Sequence, residues 1–271
     1  MVLRLATLSL AAALTIALSG CGGGGANTFD QTSNQPHQEN QKVEFSYWGK
    51  TGPTYWGTLK PEWHMCAKGL TLTPVDPSQA HQSPIDFTQN ATPTDPGFIL
   101  DADRAIPFEI ENNGHTIEAV AKSDEDTLTI GDKLYTLKQF HFHAYSEHTQ
   151  NNHPAAMEAH FVFKAQDGSL AVLGVFVDRD ENGEENDELA KVFTAPLPDE
   201  HQKGEEIAIN ITNIIPQTST VYHYIGSLTT SPCSEGVEWN VFTKHIKLSE
   251  PKLVKFTKLY HNNFRPITGH W

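Results

Sequence analysis

Two histidines alternate with two phenylalanines in the segment 139–143, which reads QFHFH. Alternate side chains of a β-strand point to opposite faces, so Gln139, His141 and His143 would share one face and the phenylalanines the other. The phenylalanine face belongs in a hydrophobic core. The second face carries two imidazoles at neighbouring positions, which is a suitable spacing for two ligands of one metal ion.

The segment 156–164 repeats this arrangement, with Glu158 and His160 on one face and apolar side chains on the other. If the two segments pair as a long hairpin, three imidazoles converge. Three neutral histidines with one open position are typical of a catalytic zinc site. A histidine ligand normally passes its second N–H group to an oxygen, which Gln139 and Glu158 could supply.

Residue spacing alone leaves a second interpretation of these histidines open. Most His-x-His pairs on strands are surface residues or hydrogen-bonded core residues that bind no metal. The Glu-x-His pattern in the second segment favours a metal site, but a structural histidine cluster stays an alternative.

The rest of the sequence is rich in predicted strands. Runs containing Val, Ile, Phe and Thr are separated by Gly, Pro, Asn and Asp, and the segments 186–193 and 248–260 have helical character. This order favours a strand-dominated α+β fold, with one large, mostly antiparallel twisted central sheet and peripheral short helices, over alternating βαβ units. The predicted strands are 116–121, 126–130, 134–144, 156–164, 170–177, 206–212, 221–225 and 237–242.

The composition excludes several classes of protein. The 271 residues include 19 Lys and Arg against 33 Asp and Glu, a net charge of −14. A nucleic-acid-binding surface needs clustered basic residues, so this balance argues against nucleic acid as a partner. Three cysteines are too few for a small disulfide-stabilised scaffold.

Residues 1–20 have the anatomy of a secretory signal peptide. Arg4 supplies a positive charge, residues 5–18 are almost all apolar, and small residues precede Cys21. The LSGC ending resembles the bacterial lipobox, which implies lipid modification of Cys21 and membrane contact only through that anchor. We therefore expect export to the periplasm or outer cell envelope. An ordinary cleaved signal with an incidental cysteine is the alternative.

Residues 21–42 are rich in Gly, Asn, Gln and Ser and contain one aromatic residue. Such a segment cannot bury enough apolar surface to fold by itself. We expect a lipidated cysteine and a flexible tether here, followed by one folded domain over residues 43–271.

The QFHFH segment is followed by SEHT at 146–149 and AMEAH at 156–160, and these motifs together strongly resemble the alpha-class carbonic anhydrases. The resemblance extends along the whole predicted domain, with its motifs in the order of that family. The other matching motifs are QSPID at 82–86, NNGH at 112–115, LAVLG at 170–174, YIGSLTTSP at 224–232 and NFRP at 263–266.

This resemblance implies a zinc enzyme that reversibly hydrates carbon dioxide to bicarbonate and a proton, through attack by a zinc-bound hydroxide. It assigns His141, His143 and His160 as the ligands of Zn²⁺. It also assigns Gln139 to orient His141 and Glu158 to orient His160.

The resemblance assigns further groups around the metal. Thr229 would accept a hydrogen bond from the hydroxide and donate its own proton to Glu147, Thr230 would line the same opening, and His115 would be the proton shuttle. Carbon dioxide is small and apolar, so an apolar wall would suit it. The residues assigned to that wall are Val162, Leu170, Val172, Leu228 and Trp239.

The resemblance also implies a disulfide between Cys66 and Cys233, which suits an oxidising compartment; two free buried thiols are the alternative. Weak hydrolysis of activated esters at the same site is a second expectation. A competing function is a non-catalytic binding or adhesion lipoprotein on the same fold, although such relatives typically lack one or more of the metal histidines. The sequence leaves the oligomeric state open, with a homodimer as one option.

Overall fold

The computed structural model describes residues 44–70, 73–74, 76, 79 and 81–271. The predicted signal peptide, Cys21 and the tether up to residue 42 lie outside the described residues and stay predictions. Within the described part of the chain, no helix combines the length and apolar character needed to cross a membrane.

The described residues form fifteen strands and three short α-helices. The strands are β1 (Thr73–Pro74), β2 (Asp86–Phe87), β3 (Phe98–Asp101), β4 (Ile106–Asn112), β5 (Ile117–Ala121), β6 (Thr127–Ile130), β7 (Lys133–His143), β8 (Thr149–Gln150), β9 (Met157–Ala165), β10 (Leu170–Asp180), β11 (Lys203–Ile209), β12 (Val221–Ser227), β13 (Glu235–Phe242), β14 (Ile246–Ser249) and β15 (Gly269–His270). The α-helices are α1 (Trp56–Leu59), α2 (Asp187–Ala190) and α3 (Glu250–Thr257). Short 3₁₀ helices cover Gly49–Thr51, Pro61–Leu70, Lys191–Phe193 and Ile211–Asn213.

Eleven of the described strands form one large twisted sheet. Its main order is β11-β4-β5-β7-β9-β10-β13-β12, with β14 beside β10, and with β6 pairing both β3 and β7. The pairs are antiparallel except for β10 with β13 and with β14. The predicted strand-dominated fold with a large central sheet is therefore confirmed, and the sheet is mixed. A second, small sheet has the order β1-β15-β2-β8.

Several predicted elements have different limits in the structure, and two of these differences have a clear local cause. The predicted strand 206–212 ends at Ile209, because the side chain of Asn210 accepts a hydrogen bond from the N–H of Thr212 at 3.0 Å and starts a 3₁₀ turn instead. The predicted helix 248–260 begins only at Glu250, where a proline occupies the first turn, because the two residues before it complete β14.

The hairpin of β7 and β9 forms as predicted from the alternating histidines. Its register places His141 opposite His160 and His143 opposite Glu158. The phenylalanines on the other face of both strands are fully buried in the main core. Burying each aromatic side chain contributes about 1.5–3 kcal/mol, and a slip by one residue would turn all of them towards the polar side, so the core fixes the register of the histidines.

Candidate metal centre

Three imidazoles meet on the polar face of the β7–β9 hairpin. The ring centroids of His141 and His143 are 5.1 Å apart, those of His141 and His160 are 5.4 Å apart, and those of His143 and His160 are 4.8 Å apart. One possible ligand nitrogen from each ring lies within 4.8 Å of the other two. The structure therefore brings all three sequence-predicted metal ligands together.

Two of the rings are held by neutral oxygens. Nδ1 of His141 lies 2.8 Å from Oε1 of Gln139, and Nδ1 of His143 lies 2.6 Å from the backbone oxygen of Asn263. A neutral imidazole has one N–H group, and donating it to these oxygens leaves Nε2 as the acceptor in both rings. Both Nε2 atoms are then suited to bind a metal.

The third ring, His160, lies against a buried carboxylate. Its Nε2 is 3.0 Å from Oε1 of Glu158, close enough for an ion pair although not aligned as a hydrogen bond. The same Oε1 lies 2.8 Å from Nδ1 of His148, and Oε2 of Glu158 accepts the backbone N–H groups of Glu147 and His148, both at 2.9 Å. This carboxylate is thus fixed from several sides, and Nδ1 of His160 is left for a metal.

The close packing around Glu158 explains a glycine on the adjacent strand. Gly174 on β10 lies opposite His160. A Cβ atom at this position would lie 2.9 Å from Oε1 of Glu158, too close for a real side chain. A larger residue here would therefore displace the carboxylate that orients His160.

Buried polar atoms without partners show that a cation fits between these groups. Nε2 of His143 and Oε2 of Glu147 are buried without a hydrogen-bond partner and lie 3.4 Å apart. Nδ1 of His160 is 3.9 Å from the same oxygen. Leaving such atoms unsatisfied costs about 1–3 kcal/mol each, which a bound cation would relieve. A three-imidazole set with close nitrogens matches the preference of Zn²⁺ for nitrogen ligands in tetrahedral geometry.

Burial and neighbouring charges set the protonation of the triad. Burial lowers the pKa of His141 well below its usual value, and it also lowers the pKa of His143, although Glu147 opposes the shift there. Burial acts the same way on His160, but Glu158 outweighs it and the pKa of His160 is raised. The rings of His141 and His143 are therefore neutral at pH 7 and ready to bind a metal. At His160, a proton competes more strongly with the metal as the pH falls.

Glu147 is held from one side only. Its Oε1 accepts the backbone N–H of Arg265 at 2.7 Å, whereas its Oε2 has no hydrogen-bond partner. The predicted hydrogen bond from Thr229 is thus not formed in this structure, although Thr229 is buried. Oε2 of Glu147 is available to such a donor, and the role of Thr229 stays a prediction.

The five residues predicted to form an apolar wall belong to one hydrophobic cluster. They are Val162, Leu170, Val172, Leu228 and Trp239. The indole ring of Trp239 stands edge-on to the ring of His160, with centroids 4.9 Å apart. The wall therefore borders the triad directly. Thr230, the predicted residue of the opening, is half-buried on the loop after β12.

His115, the predicted proton shuttle, lies on the turn between β4 and β5. Its half-buried ring stacks on Phe45, with centroids 4.0 Å apart, and borders a cavity of about 330 Å³ shared with His201. Burial lowers the pKa of His115; His201 lowers it further, while Glu44 and Glu200 oppose the shift. The ring is therefore neutral at pH 7, and its role as shuttle stays a prediction.

Two groups that position the metal site have no role assigned to them from the sequence. Asn263 holds His143 through its backbone oxygen, and its side-chain oxygen accepts the N–H of Ala144 at 2.9 Å. His148 supports Glu158. Both lie in motifs, NFRP and SEHT, that carry the family resemblance, so the motifs were the available signal; strand alternation could not identify residues in loops.

The predicted disulfide between Cys66 and Cys233 is confirmed in the structure. It links the 3₁₀ helix Pro61–Leu70 to the loop that follows β12. The N–H of Cys233 donates to the backbone oxygen of Thr230 at 2.8 Å. The bond therefore fastens the loop on which Thr229 and Thr230 lie.

The fold and the site together define a class of protein. In this class, the middle strands of a twisted mixed sheet present three histidines for one metal ion beside an apolar wall. A family model described as eukaryotic-type carbonic anhydrase matches residues 71–268. The chain belongs to the alpha-class carbonic anhydrase family.

Named relatives and solved structures agree with this membership. The chain is 36% identical over 230 residues to a carbonic anhydrase of Klebsiella pneumoniae, covering 82% of this chain and 86% of that protein. An alpha-carbonic anhydrase from Thermovibrio ammonificans, solved in complex with the inhibitor sulfanilamide, is 37% identical with a TM-score of 0.72, covering 83% of this chain and 94% of that one. The Photobacterium profundum alpha-carbonic anhydrase is 34% identical with a TM-score of 0.72, covering 83% of this chain and 96% of that one.

Proposed function

We propose that this protein is a zinc-dependent carbonic anhydrase that reversibly hydrates carbon dioxide to bicarbonate and a proton. The observation that carries the proposal is the set of three imidazoles, two buried and one half-buried, each with a ligand nitrogen within 4.8 Å of the others, beside an apolar wall. The activity named for the relatives of Klebsiella pneumoniae and Pectobacterium carotovorum supports it.

His141, His143 and His160 would hold Zn²⁺ through the nitrogens that Gln139 and Glu158, together with a backbone oxygen, leave unengaged. When bound, Zn²⁺ lowers the pKa of a water molecule to about 7 and so makes a nucleophile available at neutral pH, with carbonic anhydrase the standard example.

The residues of the chain then orient the reactants. Oε2 of Glu147, which has no hydrogen-bond partner in this structure, would accept a hydrogen bond from the Thr229 hydroxyl, and the oxygen of Thr229 would then accept one from the attacking water. That water would therefore direct a lone pair towards carbon dioxide. The apolar wall around Trp239 holds carbon dioxide without competing hydrogen bonds, and Thr230 lines the opening.

The proton released in each cycle has to reach solvent. His115 is half-buried and borders a cavity that none of the three proposed zinc ligands lines, and burial, which lowers its pKa, leaves it neutral and able to accept a proton at pH 7. A group that accepts a proton at this pH also returns it readily to buffer, which suits a shuttle.

We also propose that the chain is exported, cleaved before Cys21 and lipid-anchored there, in the periplasm or outer cell envelope. The apolar run 5–18 and the LSGC ending support this part of the proposal. The same activated water would hydrolyse activated esters slowly.

Stopped-flow measurement of carbon dioxide hydration tests the function. We expect activity in the purified protein, its loss after zinc is removed with a chelator, and recovery when zinc is added back. His143→Ala should lose both zinc and activity, because one of three ligands is gone, while His153→Ala, which alters an exposed histidine, should keep both. A zinc-loaded wild type with no hydration activity would favour the non-catalytic binding protein instead.

A further inference from the structure

A series of buried hydrogen bonds connects the metal centre with the loop that carries Thr229, and the proposed mechanism assigns it no role. Tyr224 on β12 is its central member and is fully buried. Its hydroxyl lies 2.7 Å from Nε2 of His148 and 2.7 Å from Oγ of Ser83. One hydroxyl group therefore contacts two different parts of the site.

On the metal side, the connection passes through two buried side chains. Nδ1 of His148 lies 2.8 Å from Oε1 of Glu158, and that oxygen lies 3.0 Å from Nε2 of His160. Tyr224 is thus two side chains away from a proposed zinc ligand.

On the loop side, Ser83 and Ser227 are joined by two reciprocal bonds. The N–H of Ser227 donates to Oγ of Ser83 at 3.0 Å, and the N–H of Ser83 donates to Oγ of Ser227 at 2.9 Å. The hydroxyl of Ser227 in turn donates to the backbone oxygen of Leu228 at 2.8 Å. Leu228 directly precedes Thr229, so this end of the series fixes the start of the catalytic loop.

The directions of these bonds are set by chemistry. A carboxylate only accepts hydrogen bonds, so a neutral His148 donates from Nδ1 to Glu158 and accepts at Nε2. Tyr224 must then donate to His148, and its oxygen accepts the hydroxyl proton of Ser83. From the N–H of Ser227 through the hydroxyls of Ser83 and Tyr224 to Nδ1 of His148, each donor points towards Glu158, and hydrogen bonds aligned in this way strengthen one another in a buried setting.

The surrounding packing leaves the series little freedom to rearrange. Gly226 lies beside it, and a Cβ atom there would collide with Oγ of Ser83 and approach both Tyr224 and Trp239 within 2.7 Å. The backbone oxygen of Ser227 also accepts the indole N–H of Trp239 at 2.9 Å. If a group at one end of this hydrogen-bond series moves, its neighbours must therefore move with it, or one of the hydrogen bonds must break.

We propose that Tyr224 is a positioning residue whose hydroxyl couples the orientation of the ligand His160 to the position of the Thr229 loop. The proposal rests on the proposed function, because it assigns Tyr224 to the hydration step of that reaction. Its consequence is that one buried hydroxyl sets both zinc retention and the alignment of Thr229.

Tyr224→Phe removes this hydroxyl and little else. We expect zinc to dissociate to a chelator about three to ten times faster, a smaller effect than the 10–100-fold typical of a direct partner of a ligand. We also expect kcat/KM for hydration to fall severalfold with kcat nearly unchanged, since Thr229 acts in the hydration step whereas proton transfer through His115 limits kcat.

Two further variants separate the halves of the series. Ser83→Ala breaks only the loop side, so kcat/KM should fall while the rate of zinc loss stays that of the wild type. Tyr222→Phe is the matched control, because Tyr222 lies on the same strand and in the same cluster and stacks on Phe87 with centroids 4.2 Å apart. It should match the wild type in both measurements.

The outcomes distinguish this proposal from the function on which it rests. A wild type without zinc-dependent hydration would reject the proposed function, whereas the rate of zinc loss would still test the metal half of the coupling. If Tyr224→Phe loses zinc no faster than Tyr222→Phe, the coupling is rejected. It is also rejected if kcat and kcat/KM fall by the same factor, because that is the result of a smaller active fraction.

Discussion

At the scale of single residues, the three proposed ligands differ in the oxygen that holds each of them. His141 contacts a side-chain amide, His143 a backbone carbonyl and His160 a carboxylate. A carboxylate partner makes an imidazole more basic and strengthens it as a ligand. Glu158 can serve in this way because it stays ionised: burial raises its pKa, but His148 and His160 outweigh that effect and lower it well below the usual value.

The shuttle role of His115 is testable by removing its ring. In His115→Ala, kcat should fall by about tenfold or more in dilute buffer, since regeneration of the nucleophile needs a proton acceptor. The value of kcat/KM should stay nearly unchanged, because it reports only the steps up to bicarbonate release. Stopped-flow hydration at low and high buffer concentration measures both.

Added imidazole should restore much of the activity of His115→Ala, because it carries the proton from outside. His153→Ala is the matched control, because His153 is another histidine, is exposed and has no proposed role in the reaction. If His115→Ala keeps its full kcat in dilute buffer, another group such as His64 or Glu118 carries the proton, or proton transfer does not limit the enzyme.

At the scale of elements, strand alternation was the most informative local signal. Period-two patterns in β7 and β9 predicted the hairpin, the buried phenylalanine face and the meeting of the three histidines, all of which the structure contains. These features follow from local geometry, because a strand that buries one face must present the other. The register then follows from the buried residues.

The remaining site features depend on contacts between distant parts of the chain. The oxygen that holds His143 comes from Asn263, 120 residues later, and no local pattern encodes that approach. The parallel pairing of β10 with β13 is likewise a tertiary choice. The predicted strand 206–212 ends early for a local reason, because the side chain of Asn210 hydrogen-bonds the backbone N–H of Thr212 and starts a turn there. The pattern of hydrophobic residues carries no information about this side-chain hydrogen bond.

A buried acid before β6 should make the stability of the fold depend on pH. Both carboxylate oxygens of Asp126 are buried without a hydrogen-bond partner. Burial raises its pKa to about 7; Arg104 opposes the shift, and Glu125 and Asp101 add to it. The folded state therefore binds the proton more tightly than the unfolded state, whose pKa is about 3.9, so this group's stabilising contribution is present below about pH 4 and is lost as the pH rises to about 7.

Asp126→Asn should remove that dependence. We expect its Tm to match that of the wild type near pH 4 and to exceed it by several degrees at about pH 8, because only the wild type then carries a buried charge that destabilises the folded state. Glu125→Gln, a change at the neighbouring exposed acid, is the control and should leave the pH profile nearly intact. A constant Tm difference across the pH range would show that Asp126 is not the titrating group.

The disulfide should stabilise the fold and the active-site loop together. Cys66 and Cys233 are 167 residues apart, and closing so long a loop in the unfolded chain gives a chain-entropy estimate of about 5 kcal/mol, an upper figure. Reduction should therefore lower Tm by several degrees, measured by differential scanning fluorimetry with and without reductant. Non-reducing peptide mapping should recover the two cysteines as one linked pair.

The double variant Cys66→Ala/Cys233→Ala controls for other effects of the reductant. Its Tm should be that of the reduced wild type and should not respond to reductant. Alkylation of both thiols in the native, oxidised wild type would contradict the pairing.

At the scale of the whole molecule, the negative net charge of the chain does not hinder the binding of carbon dioxide. A net charge of −14 produces a strong field around the protein, but carbon dioxide carries no charge and enters regardless of it. The same charge opposes direct adsorption to an anionic lipid surface. A membrane location would therefore be better explained by the proposed covalent anchor than by the surface of the folded domain.

The anchor is tested by Cys21→Ser in the full-length chain. We expect wild type in the membrane fraction and the variant in the soluble fraction, because several acyl chains hold a protein at a membrane where one chain binds only weakly. If residues 21–42 form the predicted tether, they would have a root-mean-square span of roughly 25 Å, and the catalytic domain should work alike in both forms. Fractionation with intact-mass analysis measures the location and the acylation, and hydration assays should give equal kcat/KM. A wild type that is already soluble and carries no acyl groups would contradict the lipobox interpretation and would favour an ordinary cleaved signal.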